Sequence, residues 1–231
     1  AARCGVGTCD RPDQKEKIIC GWIKTMKKEL NIISHSHWDR EWYMSWEKHR
    51  MRLVRFFDDL LDVLDSDPEY KCFHLDGQTV VLQDYLEIRP SQRERILRLI
   101  RDGRLCVGPW YVLQDEYLIS GEANIRNLIV GLRDCSEYGA NPVMLGYLPD
   151  AFGNISQMPQ ILRGFGIRYA AFGRGLTEVG ADNTVTAQSG VRHSELYWQA
   201  PDGSPVLAGV FLKWYNNAMG LKAYRACFCN L

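Results

Sequence analysis

Ile33-Ser34-His35-Ser36-His37-Trp38-Asp39-Arg40-Glu41-Trp42 brings two histidines and an aspartate within five residues, directly after an apolar run. Side chains alternate between the two faces of a β-strand, so positions i and i+2 point the same way. The pattern therefore predicts that His35, His37 and Asp39 converge at the end of a strand. Imidazole nitrogen and carboxylate oxygen together bind divalent ions such as zinc. We expect a metal or sugar site here, and the alternative is a set of ordinary polar residues satisfied by hydrogen bonds.

Composition excludes several classes of protein. The 231 residues suffice for one large domain or two small ones. Basic and acidic residues number 28 each, so the net charge is zero and no nucleic-acid partner is indicated. No apolar run approaches the roughly 20 residues that span a bilayer, so we expect no membrane partner. Arg11 to Lys17 is charged and no apolar core follows it. The absence of a signal peptide predicts a cytoplasmic protein, provided that this amino terminus is the natural one.

The cysteines are concentrated at the two ends of the chain. Five of the eight lie there, namely Cys4, Cys9, Cys20, Cys227 and Cys229. The three internal ones are expected to be buried free thiols: Cys72, Cys106 and Cys135. Met26-Lys27-Lys28-Glu29 has the look of a natural start directly before the first strand. We therefore expect residues 1–25 to be a non-native leader, 26–220 the domain, and 221–231 an unrelated tail.

From Met26 onward, predicted strands alternate with predicted helices. The strands are expected at 30–35, 71–75, 105–107, 143–148 and 169–172. The helices are expected at 45–64, 79–86, 92–101, 121–138 and 158–165, the third with a capping box at Ser91 and Glu94. The first is expected to bury one apolar stripe, formed by Met51, Val54, Phe57, Leu61 and Leu64. Residues 177–192 are predicted to be a loop. Two further strands, 195–198 and 206–212, are predicted to join at the turn Pro201-Asp202-Gly203.

This alternation predicts an α/β fold with a parallel sheet and crossover helices. Five polar residues follow the carboxyl ends of the strands: Asp39, Asp76, Asp115, Asp150 and Arg174. In α/β barrels and open α/β sheets, sites are built at this edge. We favour a barrel over an open sheet, because acidic side chains from four or more loops must converge.

Asp150 has two interpretations. The run Leu145-Gly146-Tyr147-Leu148-Pro149-Asp150 leaves a buried strand and enters a loop that contains Phe152. A carboxylate there can complete a metal site with His37 and Asp39, or act on substrate. It can equally be an N-cap or Asx turn that opens the following helix. The residues alone do not decide between these.

Four spaced segments resemble glycoside hydrolase family 38, the α-mannosidases, and most closely their bacterial branch. They are 35–42, Gly108-Pro109-Trp110 with Asp115-Glu116, 146–153, and Ala171-Phe172-Gly173-Arg174, in the family's order. The match covers about Lys28 to Met219. It implies an incomplete seven-stranded β/α barrel that binds one zinc ion, the amino-terminal domain of that family.

The resemblance implies a zinc-dependent retaining α-mannosidase that hydrolyses terminal α-mannosyl linkages in glycans or oligosaccharides. The zinc ligands would be His37, Asp39 and Asp150, with Asp150 also the nucleophile. The residues that would contact the α-mannoside substrate are Trp42, Phe152, Arg174, Tyr215 and Asn216. His35 would make supporting hydrogen bonds rather than bind the metal. Trp110 and Asp115 would line the same barrel end, without an assigned role.

The family's acid/base aspartate and fourth zinc ligand come after the Tyr215-Asn216 segment, and no residue here matches them. His193 lies in a predicted loop, and Asp182 and Asp202 read as turn residues. We therefore expect a truncated domain with an incomplete site. An unfinished barrel exposes edge strands and apolar helix faces, so the isolated chain is expected to be poorly soluble with little or no turnover. A homo-oligomeric parent protein is compatible with the resemblance.

Two other functions stay open. A metal-dependent polysaccharide deacetylase also uses an Asp/His metal site at the mouth of a β/α barrel, although the segment 147–153 and Trp42 argue against it. The second is an inactive fragment that binds zinc or sugar without turnover. The linkage cleaved and the natural glycan are undetermined, and one His with two Asp also suits manganese, cobalt or calcium.

Overall fold

The computed structural model describes residues 31–175, 194–211 and 214–216. The chain divides into two units at Ile33, and every helix and strand described here lies in the second. The expected leader 1–25, the expected tail 221–231, the predicted loop 177–192 and His193 lie outside the described residues. Leu30 and Leu212, at the ends of two predicted strands, lie outside them as well.

Predicted and observed elements follow the same order. The strands are β1 Ser34–His35, β2 Phe73–His74, β3 Leu105–Cys106, β4 Gly146–Leu148, β5 Tyr169–Phe172, β6 Glu195–Gln199 and β7 Pro205–Val210. The helices are α1 Trp46–Ser66, α2 Val80–Ile88, α3 Arg93–Arg101, α4 Gly121–Glu137 and α5 Met158–Gly164. The alternation of strand and helix is therefore confirmed, with the first four strands shorter than predicted.

The described strands form two sheets. The first is parallel with the order β1-β2-β3, and the second has the order β4-β5-β7-β6. Among the described strands, only β6 and β7 pair antiparallel, as expected for the predicted hairpin. The Val143 N–H donates to the Val107 carbonyl at 3.2 Å, which links the chain before β4 to the chain after β3. A mixed α/β fold is confirmed, whereas a seven-stranded barrel is not seen in the described residues and stays a prediction.

Helix α1 supplies much of the core beneath the first sheet. Its buried apolar residues recur at spacings of three and four, and include Leu53, Phe57, Leu60, Leu61 and Leu64. The Phe57 ring stacks on Tyr85 of α2 with 4.6 Å between the ring centroids. Each such side chain, once fully buried, contributes roughly 1.5–3 kcal/mol to folding.

Met51 does not belong to this apolar stripe, although the spacing predicts that it does. Its side chain is 67% exposed, and the neighbouring Arg50 is buried instead. The Arg50 guanidinium donates to the Asp84 carbonyl and pairs with Glu87, both on α2. The inward position at this turn is therefore taken by an ion-paired arginine, because helix α2 offers acceptors there rather than an apolar surface.

The predicted capping box at Ser91 and Glu94 is wrong. Residues Pro90–Gln92 form one turn of 3-10 helix, and α3 begins only at Arg93. Gln92 stands at the N-cap and makes no side-chain capping bond. The fixed φ of Pro90 starts helical geometry one residue before Ser91, which removes Ser91 from the capping position.

Helix α4 lies unusually close to the segment that follows β3. A Cβ atom on Gly131 would stand 2.2 Å from the Pro109 carbonyl oxygen and 2.4 Å from the Trp110 carbonyl carbon. The Asn127 Oδ1 atom accepts the N–H groups of Tyr111 and Val112, both at 3.0 Å. Because Gly131 has no side chain, helix α4 can pack directly against the backbone of Pro109 and Trp110, and Asn127 then hydrogen-bonds to the residues that follow.

We predict that Gly131→Ala lowers the free energy of unfolding by about 1–3 kcal/mol, because its methyl group must displace backbone. Gly121→Ala in the same helix is the matched control, since nothing lies within 4 Å of a Cβ atom there. Alanine favours the helix at both positions, so the control is expected to be neutral or slightly stabilising. Urea unfolding midpoints measure both, and equal midpoints would contradict the close packing.

Candidate functional site

His37, Asp39 and Asp150 meet at the carboxyl ends of the strands. His37 Nε2 lies 3.6 Å from Asp39 Oδ1 and 3.5 Å from Asp150 Oδ2. His37 and Asp39 come from the loop after β1, and Asp150 comes from the loop after β4. These three predicted metal ligands are therefore brought together from two sheets.

A fourth acidic residue, Asp76, stands behind the histidine. Its Oδ2 atom lies 3.0 Å from His37 Nδ1, and its side chain is 1% exposed. The same oxygen accepts the Trp38 N–H at 3.1 Å and the Gln78 Nε2–H at 3.2 Å. Asp76 thus connects the loop after β2 to the loop that carries His37. Sequence reasoning noticed its position after a strand but gave it no role.

The backbone at Asp76 explains this placement. Asp76 has φ 48° and Gly77 has φ 71°, so two successive residues are left-handed. Aspartate and glycine are among the residues that tolerate this region. Their turn directs the carboxylate back toward His37, and a dipeptide Asp-Gly after a short strand is the signal by which it could have been found.

The carboxylates around His37 favour a positive charge on its imidazole ring. Burial lowers the pKa of His37, yet the nearby carboxylates of Asp150, Asp39 and Asp76 together raise it well above its ordinary value. The His37 contact in turn lowers the pKa of Asp39. Within the described residues, no group of three or more His, Cys, Asp or Glu side chains is arranged so that it could hold a metal ion. In this geometry, the His37 Nε2 atom faces one carboxylate oxygen of Asp39 and one of Asp150.

Arg174 occupies the other side of Asp150. Its Nε atom lies 2.5 Å from Asp150 Oδ1, while Asp150 Oδ2 faces His37. The Arg174 guanidinium also lies over the Phe152 ring, 4.2 Å from its centroid. Each oxygen of the Asp150 carboxylate is therefore oriented by a different residue.

Gly173 allows Arg174 to reach Asp150. Its N–H donates to the Leu148 carbonyl at 3.1 Å, at the end of β4. A Cβ atom at this glycine would stand 1.8 Å from the Pro149 carbonyl oxygen, well inside van der Waals contact. The ends of β4 and β5 can approach this closely only because position 173 has no side chain.

The segment 214–216 covers the histidine. The Tyr215 ring lies 4.6 Å from the His37 ring, between centroids, and is tilted by 33°. Asn216 follows directly. Trp214, which the sequence did not single out, donates from Nε1 to the Pro149 carbonyl at 3.3 Å and lies 5.5 Å from the Arg174 guanidinium.

His35 contacts backbone carbonyls, and among the described residues no contact between its ring and the carboxylates that face His37 is seen. Its ring nitrogens lie 2.9 Å from the Ser36 carbonyl and 3.0 Å from the Tyr215 carbonyl. Strand β1 ends at His35. His35 therefore supports the site through backbone contacts.

A cavity of about 320 Å³ opens beside His37 and Asp39. Trp42, which is 58% exposed, forms part of its wall together with Tyr43. Phe152 is 66% exposed on the Asp150 loop. Two of the predicted sugar-contacting aromatic rings are thus available to a ligand, one on each loop.

The loop after β3 holds the Asp150 loop rather than lining the site. Asp115 Oδ1 accepts the Phe152 N–H at 3.3 Å, and Glu116 Oε2 accepts the Ile155 N–H at 2.7 Å. Trp110 is fully buried and donates from Nε1 to the Tyr147 carbonyl at 3.0 Å. Trp110 is therefore a core residue and Asp115 holds the backbone of the Asp150 loop, and their place at the barrel end stays a prediction.

Comparison with known proteins identifies the family. Residues 27–225 match the model of the glycosyl hydrolases family 38 N-terminal domain. The chain belongs to glycosyl hydrolase family 38. It is 50% identical over 193 residues to a putative mannosylglycerate hydrolase of Halalkalibacterium halodurans, which covers 83% of this chain and 22% of that protein. The resemblance stated from the motifs is confirmed.

Other family 38 proteins give the same result. The chain is 30% identical to alpha-mannosidase G of Dictyostelium discoideum, over 76% of this chain and 15% of that one. The crystal structure of an alpha-mannosidase from Enterococcus faecalis superimposes with a TM-score of 0.73 at 45% identity, over 80% of this chain and 20% of that one. The chain thus spans about a fifth of the length of these relatives. Among the described helices, none has the length and hydropathy that crossing a bilayer requires.

Glu116 is expected to make the stability of this family 38 domain depend on pH. Burial raises the pKa of Glu116 to about 7, although the Ile155 N–H opposes this shift. A raised carboxyl pKa means that the folded state holds the proton more tightly than the unfolded state. Stability should therefore fall as pH rises from about 4.5 to about 7, by up to about 3 kcal/mol, and change no further above that range.

The measurement is urea unfolding between pH 4.5 and 8 for the wild type and for Glu116→Gln, which carries no titrating proton. The variant should lose this part of the slope. Glu122→Gln, at an exposed site on α4, is the control and should retain it. Parallel slopes in wild type and Glu116→Gln would refute the buried, protonated carboxyl.

Proposed function

We propose that the protein containing this chain is a zinc-dependent retaining α-mannoside hydrolase, and that this chain supplies its nucleophile and three zinc ligands. The observation that carries the proposal is the meeting of His37, Asp39 and Asp150 at one point, with Arg174 paired to Asp150. Family membership supports the reaction class. The names of the relatives support α-mannosides as the substrates.

Two separations between the atoms that meet here support zinc as the proposed ion. His37 Nε2 is buried and makes no well-aligned hydrogen bond within the described residues. Two ligand atoms, each about 2.1 Å from a tetrahedral zinc ion, lie about 3.4 Å apart. The observed separations of 3.6 Å and 3.5 Å from Nε2 to the two carboxylates are close to that value. His37, Asp39 and Asp150 would hold the ion, and the fourth ligand would come from another part of the protein.

Asp150 is proposed to attack the anomeric carbon of the mannoside. The leaving oxygen departs with a proton from a general acid, and the resulting glycosyl ester on Asp150 is hydrolysed by water with net retention. Arg174 orients the carboxylate during attack through a charge-assisted contact. Trp42 and Phe152 would pack against the sugar, with Tyr215 and Asn216 beside it. Bound zinc would supply Lewis-acid polarisation and a template for sugar hydroxyls.

The general acid and the barrel closure are proposed to lie in the remainder of the parent protein. The chain covers about a fifth of its relatives, and no residue of it matches the family's acid/base aspartate. Residues 26–220 would then form the first part of a seven-stranded β/α barrel. The alternative for this chain in isolation is that it binds zinc or sugar without hydrolysing a substrate. Membership in a glycoside hydrolase family disfavours the deacetylase.

A second substrate class is favoured by one observation. The relative with 50% identity is named a putative mannosylglycerate hydrolase, whereas others are named α-mannosidases. Mannosylglycerate is an α-mannoside with a small carboxylic acid as its leaving group. We include it beside glycan α-mannosides as a candidate substrate of the parent protein.

Replacement of Asp76 by asparagine is expected to weaken zinc binding about 10- to 100-fold, because the carboxylate that orients His37 is lost. Asparagine tolerates the left-handed backbone at this position, so the fold should persist. Isothermal titration with zinc measures the effect, and circular dichroism checks folding. Asp102→Asn, at the exposed end of α3, is the matched control. Equal affinities in Asp76→Asn and the wild type would exclude the orienting role.

Activity should depend on Asp150 and Arg174 to different extents. In the chain extended to the length of its relatives, with added zinc, Asp150→Asn should lower kcat on 4-nitrophenyl α-mannoside by at least about 1000-fold. Arg174→Gln should lower it about 10- to 100-fold through loss of one charged contact. Arg168→Gln, at the exposed approach to the other end of β5, should have no effect.

The 231-residue chain serves as the second arm of this assay. It is expected to bind zinc but to release little or no nitrophenol, because no residue of it matches the family's acid/base aspartate. Normal turnover by this chain alone would show that the acid is present in it. No turnover by the extended protein would overturn the mannosidase assignment.

A further inference from the structure

The cavity beside the catalytic cluster has a basic wall. Its wall is formed in part by His37 and Asp39 and in part by His49 and Arg52, the last two from the first turns of α1. These two residues are three positions apart, so they share one face of the helix. Asp39 is the only acidic residue on the wall among the described residues, and it faces His37.

Arg52 makes no ion pair or hydrogen bond with any described residue, although most arginines around it do. Arg40 is held by both oxygens of Asp84, at 2.8 Å and 2.9 Å, and Arg50 pairs with Glu87. His49 likewise has a buried Nε2 atom without a partner in the described part of the chain. The wall therefore carries an arginine charge that no described residue compensates.

We propose that Arg52, assisted by His49, recognises a carboxylate on the leaving group of the α-mannoside. This inference rests on the proposed function, because His37 and Asp39 on the same wall locate the sugar and so place its leaving group in this cavity. A volume of about 320 Å³ suits a small leaving group rather than an extended glycan. Trp42 and Tyr43 would enclose its apolar edge.

A carboxylate matches this wall better than a neutral hydroxyl group does. The guanidinium is planar and always charged, and two of its N–H groups can donate to the two oxygens of one carboxylate. One arginine balances one negative charge. A neutral leaving group in the same place would make no charge-assisted contact with the arginine, so it would gain less from this wall. Arg52 is therefore a residue that determines specificity.

The test compares α-mannosyl-glycerate with its neutral analogue α-mannosyl-glycerol in the full-length protein that contains this chain. The ratio of their kcat/KM values should be about 10–100 in favour of the carboxylate. Arg52→Gln should bring the ratio to about 1, and Arg52→Lys should give an intermediate value, since lysine keeps the charge but loses the two-pronged contact. Arg55→Gln, an exposed arginine on the same helix outside this cavity, is the control and should retain the ratio.

A second measurement separates this proposal from the mannosidase assignment. Glycerate alone is titrated into the protein by calorimetry, with wild type and Arg52→Gln side by side. Binding that depends on Arg52, without hydrolysis of either mannoside, would retain the carboxylate site and reject the proposed function. Hydrolysis of both mannosides at equal rates, or a preference that Arg52→Gln leaves intact, would overturn the carboxylate site.

Discussion

The loop structure of this domain depends on how three carboxylates are held around one imidazole ring. Asp39, Asp76 and Asp150 each have an oxygen within 3.6 Å of a His37 ring nitrogen. Like charges repel strongly at such distances in a partly buried setting. The fold must therefore hold each carboxylate from outside the cluster, and it does so with contacts between consecutive loops.

Arg174, Arg40 and Gln78 make these contacts between loops. Arg174 holds Asp150, and the forked Arg40–Asp84 pair joins the loop of His37 to helix α2. Gln78 donates to the Trp38 carbonyl and accepts the Leu113 N–H, so it joins the loops after β1, β2 and β3. Because strands β1, β2 and β3 have only two paired residues each, these loop contacts, more than the ladders, define where the site residues stand.

Most of the helices, the hairpin and part of the candidate site could be predicted from the sequence. Regular spacing predicted the helices and the hairpin, since local periodicity is a property of neighbours along the chain. The segments around His37, Asp39 and Asp150 predicted their meeting, because loops after parallel strands share one edge. The contact of Asp76 with His37 was not predictable in this way. It depends on a left-handed turn and on two residues that lie 39 positions apart in the sequence. Met51 and Ser91 were misjudged because a tertiary ion pair and a proline overrode the local pattern.

Hydrogen bonds to backbone amides hold the Asp150 loop, and such bonds do not depend on the side chains of that loop. Asp115 and Glu116 grip this loop through the amides of Phe152 and Ile155. An amide is present whatever side chain is attached, proline apart. Exchanges at position 152 therefore leave these two backbone contacts in place, and they change only the ring that lies against Arg174. Under the proposed function, the backbone contacts that hold the Asp150 loop do not depend on the side chain at position 152, which would meet the substrate.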